Sequence, residues 1–156
     1  MKTYQELWQS LTPLYEASEA QAIVRLVLEV KYGMTLTDII GGKVNELSAD
    51  EGKKLEEIIE RLQNAEPVQY VLGQTDFMGM TFHVEPGVLI PRPETAELCQ
   101  WIIDAEKEKM EKAQLLLHTQ DTKRPNMGKG EGLYELRIVD FCTGSGCIAI
   151  TLNLSI

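Results

Sequence analysis

The chain has 156 residues, 44% hydrophobic and 25% charged, a globular balance that supplies one core or two small ones. Its 15 lysines and arginines against 24 acidic residues give a net charge of −9 and leave no basic face for nucleic acid. The three cysteines, Cys99, Cys142 and Cys147, are odd in number, the N-terminus lacks a signal-peptide layout, and no apolar run approaches the roughly twenty residues of a membrane span, so a soluble protein of the reducing cytoplasm is expected.

Tyr4, Leu7, Trp8 and Leu11 recur at helical spacing and predict an amphipathic helix over residues 2–11, ending near Pro13. Ser18 with Gln21 reads as a capping box opening a second helix, whose stripe is Ala22, Ile23, Leu26, Val27 and Val30 and whose end is Tyr32-Gly33. Thr35 to Ile40 predicts a short helix stopped by Gly41-Gly42. Ser48 with Glu51 caps a further helix, buried through Leu55, Ile58, Ile59 and Leu62 and reaching about Asn64. Residues 1–65 are therefore a helical bundle. Such stripes are what any packing unit needs, so a recognition role has no support from them alone.

Glu66-Pro67 breaks the helical pattern, and from Phe77 to Val84 the period becomes two. A β-hairpin is predicted there, with Gly79 at the first central position of its turn. His83 and His118 have no Cys or His neighbours at ligand spacing, so no metal site is expected. Residues 66–92 form a connector that ends in Ile90-Pro91-Arg92-Pro93. The two prolines hold this stretch extended, and Pro93 suits the first turn of a helix, with Glu94 favourably placed near the positive end of its dipole. Arg92 is either a solvated charge or a site residue held in a rigid frame.

From about residue 94 a helix carries Ala96, Leu98, Cys99, Trp101, Ile102 and Ala105 as its apolar side, then becomes strongly charged, with Glu108 and Lys112 placed to pair. Thr119 to Gly132 has no periodicity and reads as a loop. Leu136 to Phe141 is a short apolar run suited to a strand buried on both faces of a parallel sheet. Gly144, Gly146 and Ala149 then match the Gly-x-Gly-x-x-Gly/Ala spacing, in which missing side chains permit a tight turn, ligand approach and close helix packing. Asp140 stands at the carboxyl end of the strand, at the lip of a binding crevice. Taken alone, the glycine pattern also fits a plain strand-to-helix turn with no ligand. Only Thr151 to Ile156 follow, so the chain is expected to end inside an α/β domain begun at about residue 93.

The order of bundle, Glu66-Pro-Val-Gln-Tyr-Val-Leu-Gly73, aromatic hairpin, Leu89-Ile-Pro-Arg-Pro-Glu-Thr95, helix and Asp140-Phe-Cys-Thr-Gly-Ser-Gly146 resembles the HemK/PrmC family of release factor glutamine methyltransferases. The resemblance implies an α-helical recognition bundle plus hairpin (1–65 and 66–92) and the truncated start of a Rossmann-like methyltransferase domain (93–156). It implies S-adenosylmethionine as cofactor, a peptide chain release factor as protein substrate, and no direct nucleic-acid or membrane partner. The cofactor residues it implies are Asp140, Cys142, Thr143, Gly144, Ser145 and Gly146, with Arg92, Pro93, Glu94 and Thr95 beside the pocket. Cys142 stands where the family usually has glycine. The family's Asn-Pro-Pro-Tyr, which holds the substrate glutamine, is absent from these residues, so no catalytic residue is assigned and the chain is expected to be inactive alone. Two other readings are a non-catalytic protein-binding module and a dinucleotide enzyme. The unpaired Leu136–Phe141 strand is expected either to become mobile or to drive self-association.

Overall fold

The computed structural model describes residues 2–119, 136–141 and 143–156. These fall into two compact units, one of Met1–Thr75 with His83–Gly87 and the other of Asp76–Phe82 with Val88–Ile156.

The first unit is helical. Helix α1 (Tyr4–Gln9) opens with a capping box in which the Thr3 side chain accepts from the Glu6 amide and Glu6 reaches back to the Thr3 amide. Helix α2 (Ala17–Tyr32) starts two residues earlier than Ser18-x-x-Gln21 suggests: Glu16 is the N-cap and no side chain caps it. Ser18 already has helical backbone there and cannot serve as a cap. The buried side of α2 is Ala20, Val24, Val27 and Leu28, rotated from the predicted stripe so that Leu26 and Val30 are exposed. Gly33 ends α2 at φ 63°, the left-handed conformation that glycine adopts at no steric cost, and Met34 N–H reaches the Leu28 carbonyl at 3.2 Å.

Helix α3 (Leu36–Ile40) has a second capping box, between Thr35 and Asp38. Helix α4 (Ala49–Gln63) has the predicted one between Ser48 and Glu51, and ends at Asn64 as the spacing of Leu55, Ile59 and Leu62 requires. After the break at Glu66-Pro67 the chain forms one more short helix, α5 (Val68–Leu72). Arg61 clamps Glu66 across that break, Nε to Oε2 at 2.7 Å and Nη2 to Oε1 at 2.5 Å. One apolar cluster joins Leu7, Val24, Leu28, Ile39, Leu55, Leu62 and Leu72 from all five helices. Each such side chain contributes about 2 kcal/mol by leaving water, and truncating a fully buried one such as Leu28 to alanine costs about 3 kcal/mol.

Strands β1 (Gln74–Phe77) and β2 (Met80–His83) form the hairpin, continued by Val84 N–H to the Gly73 carbonyl at 3.1 Å. Its two-residue turn is Met78-Gly79, with φ 53° and 76°. Positive φ at both central positions is the type I′ pattern, which matches strand twist. Gly79 is thus the second central residue rather than the first. His83 is exposed on β2.

In the second unit, Phe77 and Phe82 share an apolar cluster with Cys99 and Ile103 of helix α6 (Pro93–Thr119) and Cys147 and Leu152 of helix α7 (Cys147–Ser155). Glu108 and Lys112 of α6 pair at 2.6 Å, as their spacing predicts. The segment Leu136–Phe141, expected as a buried strand, is not one. No other described strand lies beside it, so its amides and carbonyls have no ladder to join, and Val139 and Phe141 are 72% and 85% exposed. The described fold is thus mainly α with a single antiparallel hairpin.

Candidate cofactor site

The glycine loop is built as its spacing requires. Gly144 and Gly146 have φ of 55° and 75°, conformations that side-chain-bearing residues rarely adopt. Gly146 N–H closes the turn on the Thr143 carbonyl at 2.8 Å, and Gly146 is the N-cap of α7, its carbonyl accepting from Ile150 N–H at 3.0 Å. A Cβ at Gly146 would stand 3.3 Å from Ile150 Cδ1, whereas one at Gly144 would meet nothing within 4 Å. Gly146 therefore serves close packing against its own helix. Gly144 leaves its backbone open to a ligand.

No side chain caps α7, so the amides of its first turn face outward without an intrahelical acceptor, an arrangement suited to an anionic group. Just before the loop, Asp140 keeps its Oδ2 buried, with no hydrogen-bond partner among the described residues. Thr151 Oγ1, fully buried on α7, is likewise unpartnered. Orphaned buried acceptors are rare because desolvation without a replacement bond costs about 1–3 kcal/mol. Asp140 also lies close enough to Cys99 for their charges to interact. Burial pushes the Cys99 thiol up first, and Cys147 and Asp140 raise it further.

Arg92, Pro93 and Glu94 are exposed and Thr95 is half-buried. Pro93 is the first residue of α6, as its fixed φ suggests, and the Arg92 carbonyl accepts from Thr95 and Ala96 N–H at 3.0 and 3.3 Å. Ala96 and Cys99, one turn on, pack in the same cluster as Cys147 and Ile148, so the starts of α6 and α7 rest on common apolar ground. Among the described residues no hydrogen bond or ion pair joins the Arg92, Glu94 or Thr95 side chain to the glycine loop. Cys142, also expected here, lies outside the described residues.

In the sequence Cys99 reads only as an apolar residue of its helix, which its burial bears out, and Thr151 is not singled out. The signal for Thr151 was one hydroxyl in the otherwise apolar run Cys147-Ile-Ala-Ile-Thr-Leu152. A cleft of about 970 Å³ runs along Leu136 to Val139 and along α7, where Ile150, Leu152 and Leu154 are among its lining residues. None of the candidate cofactor residues lines it. No group of three or more potential metal ligands occurs among the described residues, and no described helix is long and apolar enough to cross a membrane.

Residues 7–73 match the PrmC N-terminal domain. The chain is 40% identical over 145 residues to the release factor glutamine methyltransferase of Bacteroides thetaiotaomicron, covering 93% of this chain and 43% of that protein. It is 33% identical to the enzyme of the same name from Flavobacterium psychrophilum, covering 92% and 43%. With the Bacillus subtilis relative of that name it shares 30% identity over 155 residues, covering 99% of this chain and 47% of the relative. The chain thus spans less than half the length of these curated relatives. With its N-terminal domain matched and some nine-tenths of its residues aligned to these enzymes, the chain belongs to the HemK/PrmC family and corresponds to an N-terminal portion of it.

Proposed function

We propose that this chain supplies the release-factor-recognising helical domain and the cofactor loop of an S-adenosylmethionine-dependent glutamine methyltransferase of the cytoplasm. The observation that carries the cofactor assignment is the unpartnered, buried Asp140 carboxylate oxygen directly before a glycine loop that opens α7. S-adenosylmethionine has a carboxylate suited to the free amides of α7 and an ammonium suited to Asp140. Thr143, Gly144, Ser145 and Gly146 would shape the loop around it. Arg92, Pro93, Glu94 and Thr95 would border the pocket from the start of α6. When bound, the cofactor supplies an electrophilic methyl group. An amide nitrogen is a weak nucleophile because its lone pair is delocalised, so the protein's task is to orient the release factor's glutamine and exclude water. The helical unit would bring that substrate in.

A dinucleotide at the same loop is disfavoured, because its pyrophosphate would lie near the Asp140 carboxylate. Calorimetric titration with S-adenosylhomocysteine and with NAD separates the two. It is run on this chain and on a form continued with the remaining sequence of the Bacteroides thetaiotaomicron relative. Binding of S-adenosylhomocysteine, weakened by Asp140→Asn, is expected. Binding of NAD alone would overturn the cofactor assignment. Failure of the chain to capture purified release factor would overturn the recognition role.

A further inference from the structure

Helix α6 buries one side and shows a chemically distinct one on the other. Ala96, Cys99 and Ile103 pack in the apolar cluster, and Glu106 is buried on the same side. Trp101 is two residues from both Cys99 and Ile103, which places it across the helix from them. It is 70% exposed, and Leu98, one turn earlier, is 47% exposed. Glu94, Glu97, Asp104 and Glu108 share that side of the helix and are all exposed. No lysine or arginine occurs from Pro93 through Glu106. Among the described residues Asp104 accepts only a neutral donor, Gln100 Nε2 at 2.8 Å, and the first basic neutralisation on this side is Lys112 on Glu108.

An exposed tryptophan with a leucine beside it is the composition of an interface anchor, and the acidic rim decides what it anchors. We infer that this face of α6 docks a basic protein segment, with an apolar residue against Trp101 and Leu98 and flanking lysines or arginines on Glu94, Glu97 and Asp104. An arginine there also stacks favourably on the indole. A second copy of this chain would bring the same carboxylates and a net charge of −9, so it is repelled. Nucleic acid and anionic lipid are repelled for the same reason. The inference rests on the surface of α6 alone and is independent of the cofactor assignment.

The test is fluorescence anisotropy of a labelled amphipathic peptide with leucines on one face and lysines flanking them, titrated with the chain beside a glutamate-for-lysine counterpart. The lysine peptide is expected to bind, and to bind less tightly as salt rises from about 50 to about 200 mM. Trp101→Ala, which changes no charge and removes an exposed side chain, is expected to weaken binding about tenfold. Neutralising Glu94, Glu97 and Asp104 together to their amides should do the same, while neutralising Glu56, Glu57 and Glu60 on α4 should not. Equal loss from the α4 variant, wild-type binding by Trp101→Ala, or equal binding of the glutamate peptide would each overturn the proposal. So would a dimer in sedimentation that Trp101→Ala dissociates, since a second copy would then own the face.

Discussion

The rings of Phe77 and Phe82 meet edge to face across the hairpin, 6.0 Å between centroids and 83° between planes. Both are buried in the cluster that also holds Cys99 and Cys147, so the hairpin tip packs with α6 and α7. A two-stranded hairpin is marginal alone, and this pair ties it to helices that it in turn covers. Phe82→Ala is expected to lower stability by about 3 kcal/mol. Peptide-resolved hydrogen exchange should show lost protection in α6 around Cys99 and Ile103, with α4 unchanged. Equal loss in α4 would mean the two clusters unfold as one.

The three capping boxes predict how the helical unit responds to acid. The Thr35 hydroxyl and amide hold the Asp38 carboxyl down to about 2, against an ordinary 3.8, with help from Lys43. The Thr3 amide and hydroxyl lower Glu6, and the Ser48 hydroxyl and amide lower Glu51, each from an ordinary 4.5. A carboxyl with a lowered folded value binds protons less readily folded than unfolded. Its contribution is present above the ordinary value and is lost as pH falls through the folded one. Urea midpoints measured from about pH 6 down to about pH 3 should therefore fall. A variant carrying Glu6→Gln, Asp38→Asn and Glu51→Gln keeps side chains that can still cap, and its midpoint should change less over the same range. Parallel curves would place the acid sensitivity elsewhere.

How much of this was legible depended on whether the deciding forces were local. Ser48 with Glu51, the stop at Gly33, and Pro93 as the first residue of α6 are set by residues within one turn, and all three are found. The Ser-x-x-Gln pattern misplaces the cap of α2 because it does not exclude a helix that starts two residues earlier. The box at Thr3 and Glu6 has the same kind of spacing and was passed over. Leu136 to Phe141 failed for a different reason. A strand is a property of two segments, and apolar residues supply faces but no partner for the backbone. The glycine loop was legible because Gly144 and Gly146 act through their own backbone angles. The orphaned Thr151 hydroxyl was not, since burial of one side chain depends on how α7 is rotated.

Cys99 should be inert toward thiol reagents in the folded protein. Burial, followed by the neighbouring Cys147 and Asp140, pushes its thiol up, so little thiolate exists near neutral pH. Labelling with iodoacetamide at about pH 8, read peptide by peptide, should leave Cys99 unmodified until urea is added. Rapid labelling of Cys99 in buffer would show that α6 and α7 separate readily.

The two loop glycines should respond differently to the same substitution. At Gly146 an added methyl meets Ile150 Cδ1 at 3.3 Å and the backbone angle is also unfavourable, so Gly146→Ala combines crowding with strain. At Gly144 the space is empty and only the angle opposes a side chain, at about 1–2 kcal/mol. Gly146→Ala is therefore expected to lower the urea midpoint more than Gly144→Ala. Binding should be affected at both positions, but at Gly144 the methyl stands in the space a ligand would occupy. Its loss of S-adenosylhomocysteine affinity should exceed what its loss of stability accounts for. Denaturation and calorimetry on the form that binds separate these effects. If Gly144→Ala bound as well as wild type, the opening over Gly144 would not be where the cofactor lies, and the loop would be a strand-to-helix turn with no ligand of its own.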